Sequence, residues 1–277
     1  MLRNSLDIAL NNKLQKLEEI ILPMERAIIA FSGGIDSVFL AKISYDVLRN
    51  GALAATSFSF STPEKDKKDS IESAKQIGIK HVIIETDETN IFEYAQNPEN
   101  RCYFCKDHLY ERLTKIAEKR NYKFILNGAN VDDLGDYRPG IQAAKEWKVR
   151  SPLLEVELTK DEIRKASKEL GLPLWDKPAS PCLASRIPYL QQVTPEKMKM
   201  TDRAEGYLRN LGIEGNVRVR HDNGNARIEV ERKYFNFISQ HYVNIENHFR
   251  TIGFKSTNLD QTGYRRGSLN QDVVLMK

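Results

Sequence analysis

Ser32-Gly33-Gly34-Ile35-Asp36-Ser37 is the stretch best suited to chemistry in this chain. Two adjacent glycines let the backbone turn tightly and approach a ligand closely. The two serines add hydroxyls, and Asp36 adds a carboxylate. If a helix opens here, its first N–H groups have no partner of their own and favour an anion such as phosphate. The stretch lacks the lysine of a GxxxxGK[ST] loop and the third glycine of a dinucleotide fingerprint. A second set is Cys102-Tyr-Phe-Cys105 with Cys182, three cysteines in all. Three cannot all pair, which points to metal or sulfur chemistry before a structural disulfide. Three thiolates suit a [4Fe–4S] cluster with one open iron. Zinc with His108 as fourth ligand and unligated thiols are the alternatives. A third set is basic: Arg186, Arg218, Arg220, Arg227, Arg265 and Arg266 crowd the later part of the chain. Their planar forks suit phosphate groups, though on spacing alone Arg218 and Arg220 also fit an exposed strand face.

These residues need elements to hold them. The apolar run Ala27–Phe31 before the glycines reads as a strand, and the segment from Val38 to Leu48 after them as a helix. Further strands are expected over 53–60, 81–85 and 123–126, and helices over 63–77 and 104–120. A polar loop around Asn97-Pro98 separates two of them. Alternating strands and helices imply a parallel sheet covered on both faces. Ligands then bind beyond the carboxyl ends of the strands. The glycine turn, Ser57 and the loop Asn127-Gly128-Ala129-Asn130 all fall on that edge. The acidic segment 132–140 offers carboxylates for Mg²⁺ or for a surface loop. Thr159 with Glu162 reads as a capping box, and Gly171 as the residue after that helix. Four prolines between 171 and 189 forbid regular structure around Cys182. Both cysteine segments are expected to reach the glycine-turn edge as loops.

From Thr194 the pattern changes. A helix over 194–211, a hairpin around 222–225, a helix over 232–250 and a strand over 255–259 give an αββαβ order. The expected organisation is a Rossmann-like α/β domain over residues 1–189 followed by a small α+β domain over 190–277. Hydrophobic residues make up 40% and charged residues 29%, as in a water-soluble protein with a substantial core. No apolar run approaches a membrane span, and the charged, amphipathic start does not read as a signal peptide. A cytoplasmic enzyme is expected. The net charge of +4 is too mild to demand nucleic acid.

The chain resembles the LarE family of ATP-dependent sulfur transferases within the PP-loop ATP pyrophosphatase superfamily. The resemblance is carried by AFSGGIDS (30–37), NGAN with VDDLGDYRPG (127–140), LGLPLWDKPASPCLASRIPY (170–189), EGYLRNLG (205–212), VRVRH (217–221) with ARIE (226–229), and LDQTGYRRGSLN (259–270). It implies that ATP adenylates a carboxylate of a nicotinic-acid-derived mononucleotide with release of pyrophosphate. Sulfur then displaces AMP to leave a thiocarboxylate for a nickel-pincer nucleotide cofactor. It further implies ATP bound by Ser32, Gly33, Gly34, Ser37 and Gly128, with Asp36 on Mg²⁺ and pyrophosphate and Ser57 near adenine. Arg218, Arg220 and Arg265 would hold the mononucleotide phosphate. Ser185 and Arg186 would act near the reacting carboxyl, and Glu205, which the sequence alone makes an exposed helix acid, would assist the chemistry. Some members consume the sulfur of the cysteine in the PASPC-like loop. Members with CxxC as well are thought to use an iron–sulfur cluster, and this chain has Cys102, Cys105 and Cys182. Expected partners are the small-molecule mononucleotide, a sulfur-delivery protein and further copies of the chain. A tRNA thiolase and an amide-forming ATP-pyrophosphatase ligase are the competing readings. Neither an added RNA-binding module nor a use for three cysteines in amide formation supports them.

Overall fold

The computed structural model describes residues 6–134, 139–178 and 180–265. In chain order the elements are α1 (Ile8–Ile21), β1 (Ala27–Ala30), α2 (Ile35–Leu48), β2 (Ala52–Phe58), α3 (Glu64–Ile77), β3 (Lys80–Glu85), α4 (Phe92–Ala95), α5 (Arg101–Lys119) and β4 (Phe124–Leu126). They continue with α6 (Gly140–Glu146), α7 (Pro152–Glu155), α8 (Lys160–Glu169), α9 (Pro195–Asn210), β5 (Arg218–Asp222), β6 (Asn225–Glu229), α10 (Phe235–Gln240), α11 (Tyr242–Ile252) and β7 (Ser256–Leu259). They form two compact units. The first holds Met1–Ser59, Glu64–Thr86 and Asn100–Ser180; the second holds Phe60–Pro63, Asp87–Glu99 and Pro181–Lys277.

The first unit is a parallel sheet in the order β3-β2-β1-β4. Its central strand is Ala-Ile-Ile-Ala, apolar on both faces, because helices cover it from both sides. One face packs into a core with Leu40, Ile43, Leu153 and Ile163, and the other into a core with Tyr110, Leu113 and Ala143. Asp7 starts α1 by accepting a hydrogen bond from Leu10 N at 2.8 Å, and Leu10, Leu14, Leu17 and Ile21 bury one stripe of it. The capping box of α8 is present: Thr159 Oγ1 accepts from Glu162 N, and Thr159 N donates to the Glu162 carboxylate at 2.8 Å.

The second unit is a mixed three-stranded sheet, β5-β6-β7, with β5 antiparallel and β7 parallel to β6. Asn223 and Gly224 both have positive φ, 50° and 91°, as a two-residue type I′ hairpin turn requires. Helices α9 and α11 cover one face around Leu208, Val219, Ile228 and Phe249. Segments that the sequence suggested were mere connections belong to this unit. Leu183 N donates to Ser61 O at 2.7 Å, and Val193 N donates to Ala95 O at 2.9 Å.

Three local expectations change. The helix expected over 232–250 is broken at His241, whose ring stacks on Phe237 and whose Nδ1 lies 2.9 Å from Phe237 O. His241 has non-helical backbone angles, φ −102° and ψ 9°, and caps both helices: its N donates to Phe237 O at 3.1 Å and its O accepts from Ile245 N at 3.0 Å. The polar stretch before Arg101 contains the short helix α4, apolar at Phe92, Tyr94 and Ala95. And α5 starts at Arg101, so Cys102 and Cys105 lie in helical turns instead of a loop. Among the described residues no helix is long and apolar enough to cross a membrane.

Candidate active site

Strand β1 ends at the glycine turn, and α2 begins at Ile35. The first intrahelical bond is Val38 N to Gly34 O at 2.9 Å, so the amides of Ile35, Asp36 and Ser37 have no helical acceptor. The turn is internally braced. Ser37 Oγ donates to Gly34 O at 2.9 Å and accepts from Ser32 N at 3.2 Å, while Ser32 Oγ accepts from Gly34 N at 3.3 Å. Gly33 sits at φ +72°, and a Cβ there would stand 2.9 Å from Ser70 Cα. A Cβ on Gly128 would stand 3.0 Å from Ser37 N. The loop after β4 therefore lies directly on the glycine turn, and both glycines are needed for backbones to approach this closely. The result is a concave cradle of N–H groups with a positive helix end, suited to a polyphosphate.

Asp36 sits in the first turn of α2. Burial pushes its carboxyl above the usual aspartate range, with the Lys160 ammonium pulling it back. Lys160 Nζ donates to Asp36 Oδ2, and Lys160 N donates to Asp132 Oδ2 at 2.7 Å. Asp36 Oδ1 is buried with no hydrogen-bond partner among the described residues. Such an orphaned carboxylate oxygen beside a phosphate cradle fits Mg²⁺, which binds through one or two carboxylates together with substrate phosphates. Lys160 was not among the expected site residues. Its only sequence signal was its place directly after the helix cap Thr159. Asp132 and Asp133 form a capped turn with Asn130; residues 135–138 of the acidic segment lie outside the described residues. Ser57, at the carboxyl end of β2, shares a 2.6 Å hydrogen bond with Thr86 on the neighbouring edge.

In the second unit, Arg186 and Glu205 are both buried, 1% and 4% exposed. Glu205 is thus not the exposed helix acid that the sequence alone suggested. Arg186 Nε and Nη2 fork onto the two Glu205 oxygens at 2.8 and 3.0 Å, and Val219 N donates to Glu205 Oε1 at 3.0 Å. Burial raises the Glu205 carboxyl, but the Arg186 guanidinium, the Arg218 charge and the Val219 amide together hold it below the usual range. Arg218 and Arg220 are buried as well, which excludes the exposed-strand reading. Arg220 donates to Ser185 O at 2.6 Å and to Glu229 Oε2 at 2.8 Å. Burial and the neighbouring Arg186 charge push Arg218 down to about 10, and its guanidinium lies over the Tyr264 ring. It remains a cation at neutral pH. Arg265 is exposed, and Arg266 lies outside the described residues.

The cysteines fall in both units. Cys102 is exposed and Cys105 half-buried in the first, at the start of α5; Cys182 is half-buried in the second. No group of three or more His, Cys, Asp or Glu stands ready to hold a metal ion among the described residues.

The chain can be compared with known proteins. The family model described as NAD synthase matches residues 6–120. An uncharacterised protein of Synechocystis sp. is 45% identical over 95% of this chain and 98% of its own. The pyridinium-3,5-bisthiocarboxylic acid mononucleotide synthase of Lactiplantibacillus plantarum is 33% identical over 96% of each chain. A glutamine-hydrolysing GMP synthase chain of Sulfurisphaera tokodaii is 26% identical over 68% of this chain and 56% of its own. Likeness to the GMP synthase covers 68% of the chain, whereas likeness to the mononucleotide synthase runs along 96% of it. With a braced glycine turn at the edge of a parallel sheet and a relative matched along almost its whole length, the chain belongs to the LarE-like family of PP-loop ATP pyrophosphatases.

Proposed function

We propose that this chain is an ATP-dependent sulfur transferase acting on a carboxylate of a pyridinium mononucleotide. The observation that supports it most is the 33% identity, over 96% of both chains, to a pyridinium-3,5-bisthiocarboxylic acid mononucleotide synthase. In the first step the substrate carboxylate attacks the α-phosphorus of ATP. The α–β bridging P–O bond breaks, and pyrophosphate leaves with the electron pair. In the second, a sulfide equivalent attacks the acyl carbon, AMP leaves, and a thiocarboxylate remains. A carboxylate is a poor electrophile, and adenylation supplies the leaving group it lacks.

The amides of Ile35, Asp36 and Ser37 and the hydroxyls of Ser32 and Ser37 cradle the phosphates, with Gly33, Gly34 and Gly128 giving them room. Asp36 and the phosphates would hold Mg²⁺, which would neutralise charge on the departing pyrophosphate. Lys160, freed from Asp36, is a second cation at the same place. Ser57 lies where adenine would sit. Arg218, Arg220 and Arg265 take the mononucleotide phosphate, and Ser185 lies near the reacting carboxyl. Cys102, Cys105 and Cys182 would hold a [4Fe–4S] cluster, which would present sulfide at an iron lacking a protein ligand. The support for the cluster is the donor set, three thiols and no fourth.

The experiment is anaerobic purification, assay of iron and acid-labile sulfide, and turnover of ATP with a carboxylated pyridinium mononucleotide. Pyrophosphate release with an oxygen-to-sulfur mass change in the acceptor is expected, with about four irons and four sulfides per chain. Labelled sulfur appearing in tRNA, or an amide formed from ammonia, overturns the acceptor assignment. Neither iron nor sulfide, with turnover limited to one per chain, makes Cys182 a consumed sulfur donor.

A further inference from the structure

We propose that Arg186 and Glu205 are positioning residues that fix the backbone of the Cys182 loop and thereby aim its thiol, instead of contacting the mononucleotide. This rests on the functional reading above. The loop has little regular structure of its own: prolines flank it, and one short turn, Leu183–Arg186, follows the cysteine. What holds it is side-chain chemistry. The Cys182 carbonyl accepts three hydrogen bonds, from Ser185 N at 3.0 Å, Ser185 Oγ at 2.7 Å and Arg186 Nη1 at 3.2 Å. Arg186 Nη1 also donates to Pro181 O at 2.6 Å and to Ser185 Oγ at 3.1 Å. Leu183 N is held by Ser61 O at 2.7 Å, and Ser185 O by Arg220 Nη1 at 2.6 Å. Residues 181, 182, 183 and 185 are all pinned.

All three guanidinium nitrogens of Arg186 are engaged. Nη1 faces the loop, while Nε and Nη2 face Glu205. The planar fork fixes these directions relative to one another, so Glu205 sets where Nη1 points. Glu205 is itself held by Val219 N on β5. A rigid strand thus orients a carboxylate, the carboxylate orients a guanidinium, and the guanidinium orients the cysteine peptide. An ion pair serving only the core would not direct a donor at the two carbonyls on either side of the cysteine's Cα. Cys182 meanwhile stays half-buried, not sealed.

The test compares Glu205→Gln and Arg186→Lys with the parent. ATP–pyrophosphate exchange reads adenylation, sulfur insertion reads the second step, and alkylation of Cys182 by iodoacetamide reads its placement. Alkylation is done on chelator-treated protein carrying Cys102→Ala and Cys105→Ala. Both variants should keep exchange, with KM for the mononucleotide within about two-fold, and lose sulfur insertion by about ten-fold or more. Alkylation should shift by about five-fold. A mononucleotide KM about ten-fold higher in exchange, with alkylation unchanged, would place these residues on the substrate and overturn the proposal. If either variant fails to fold, Glu205→Asp keeps the buried charge pair but draws the carboxylate back from Arg186, which re-aims Nη1; unaltered alkylation there overturns it equally. Absence of exchange in the parent protein refutes the functional reading alone, because the alkylation comparison still decides the positioning role.

Discussion

Gly33→Ala should cripple the nucleotide cradle, and the structure sets the size of the effect. Gly33 sits at φ +72°, where an L side chain crowds its own backbone. That costs about 1–2 kcal/mol. The new Cβ would stand 2.9 Å from Ser70 Cα and 3.0 Å from Ser70 N. Those are backbone atoms of a fully buried residue in the middle of α3, so neither can swing aside. Overpacking of this kind costs about 1–3 kcal/mol. The stiffer unfolded chain returns roughly 0.4–1 kcal/mol. The net loss is about 2–4 kcal/mol, or a fall of roughly 5–15 °C in the unfolding midpoint of the first unit. Differential scanning calorimetry reads that fall, and ATP–pyrophosphate exchange should be lost even well below the midpoint. Gly206→Ala is the control. It lies inside α9 with nothing within 4 Å of a Cβ, so it should gain about 0.5–1 kcal/mol. A Gly33→Ala protein as stable as its parent would refute the argument from φ and the Ser70 contact.

Two further outcomes follow from single contacts. Lys160→Ala leaves the half-buried Asp36 carboxylate without its cation, at a cost of about 1–3 kcal/mol at pH 8. The Asp36 carboxyl already stands above its ordinary value of 3.8, so the folded state binds this proton more readily than the unfolded chain. Its contribution is therefore greatest below the unfolded value and declines as pH rises through the folded one. The difference between variant and parent, read by urea unfolding, should shrink towards pH 4; a pH-independent difference contradicts the pairing. Asn97→Ala should cost the second unit about 2–3 kcal/mol. Its buried amide donates to Ile187 O, Pro188 O and Gln191 O at 3.3, 2.7 and 3.0 Å. Proteolysis within 187–191 should accelerate in that variant, and an unchanged cleavage rate counts against the role.

Local chemistry was legible in the sequence. A strand of alanines and isoleucines running into Ser-Gly-Gly announces a βα turn, because only glycine tolerates the turn and the contact at Ser70. The cap at Thr159 and the hairpin at Asn223-Gly224 were readable for the same reason: each is decided within a few residues by backbone sterics and hydrogen bonding. Spacing could not show which distant side chains share a charge. That Lys160 meets Asp36 and that Glu205 is buried against Arg186 depend on how elements pack, since an ion pair across 124 or 19 residues leaves no periodic trace. The loop around Cys182 shows the division most clearly. Its prolines say that it has little regular structure, and only the tertiary fold supplies the arginines and carboxylates that hold it in place.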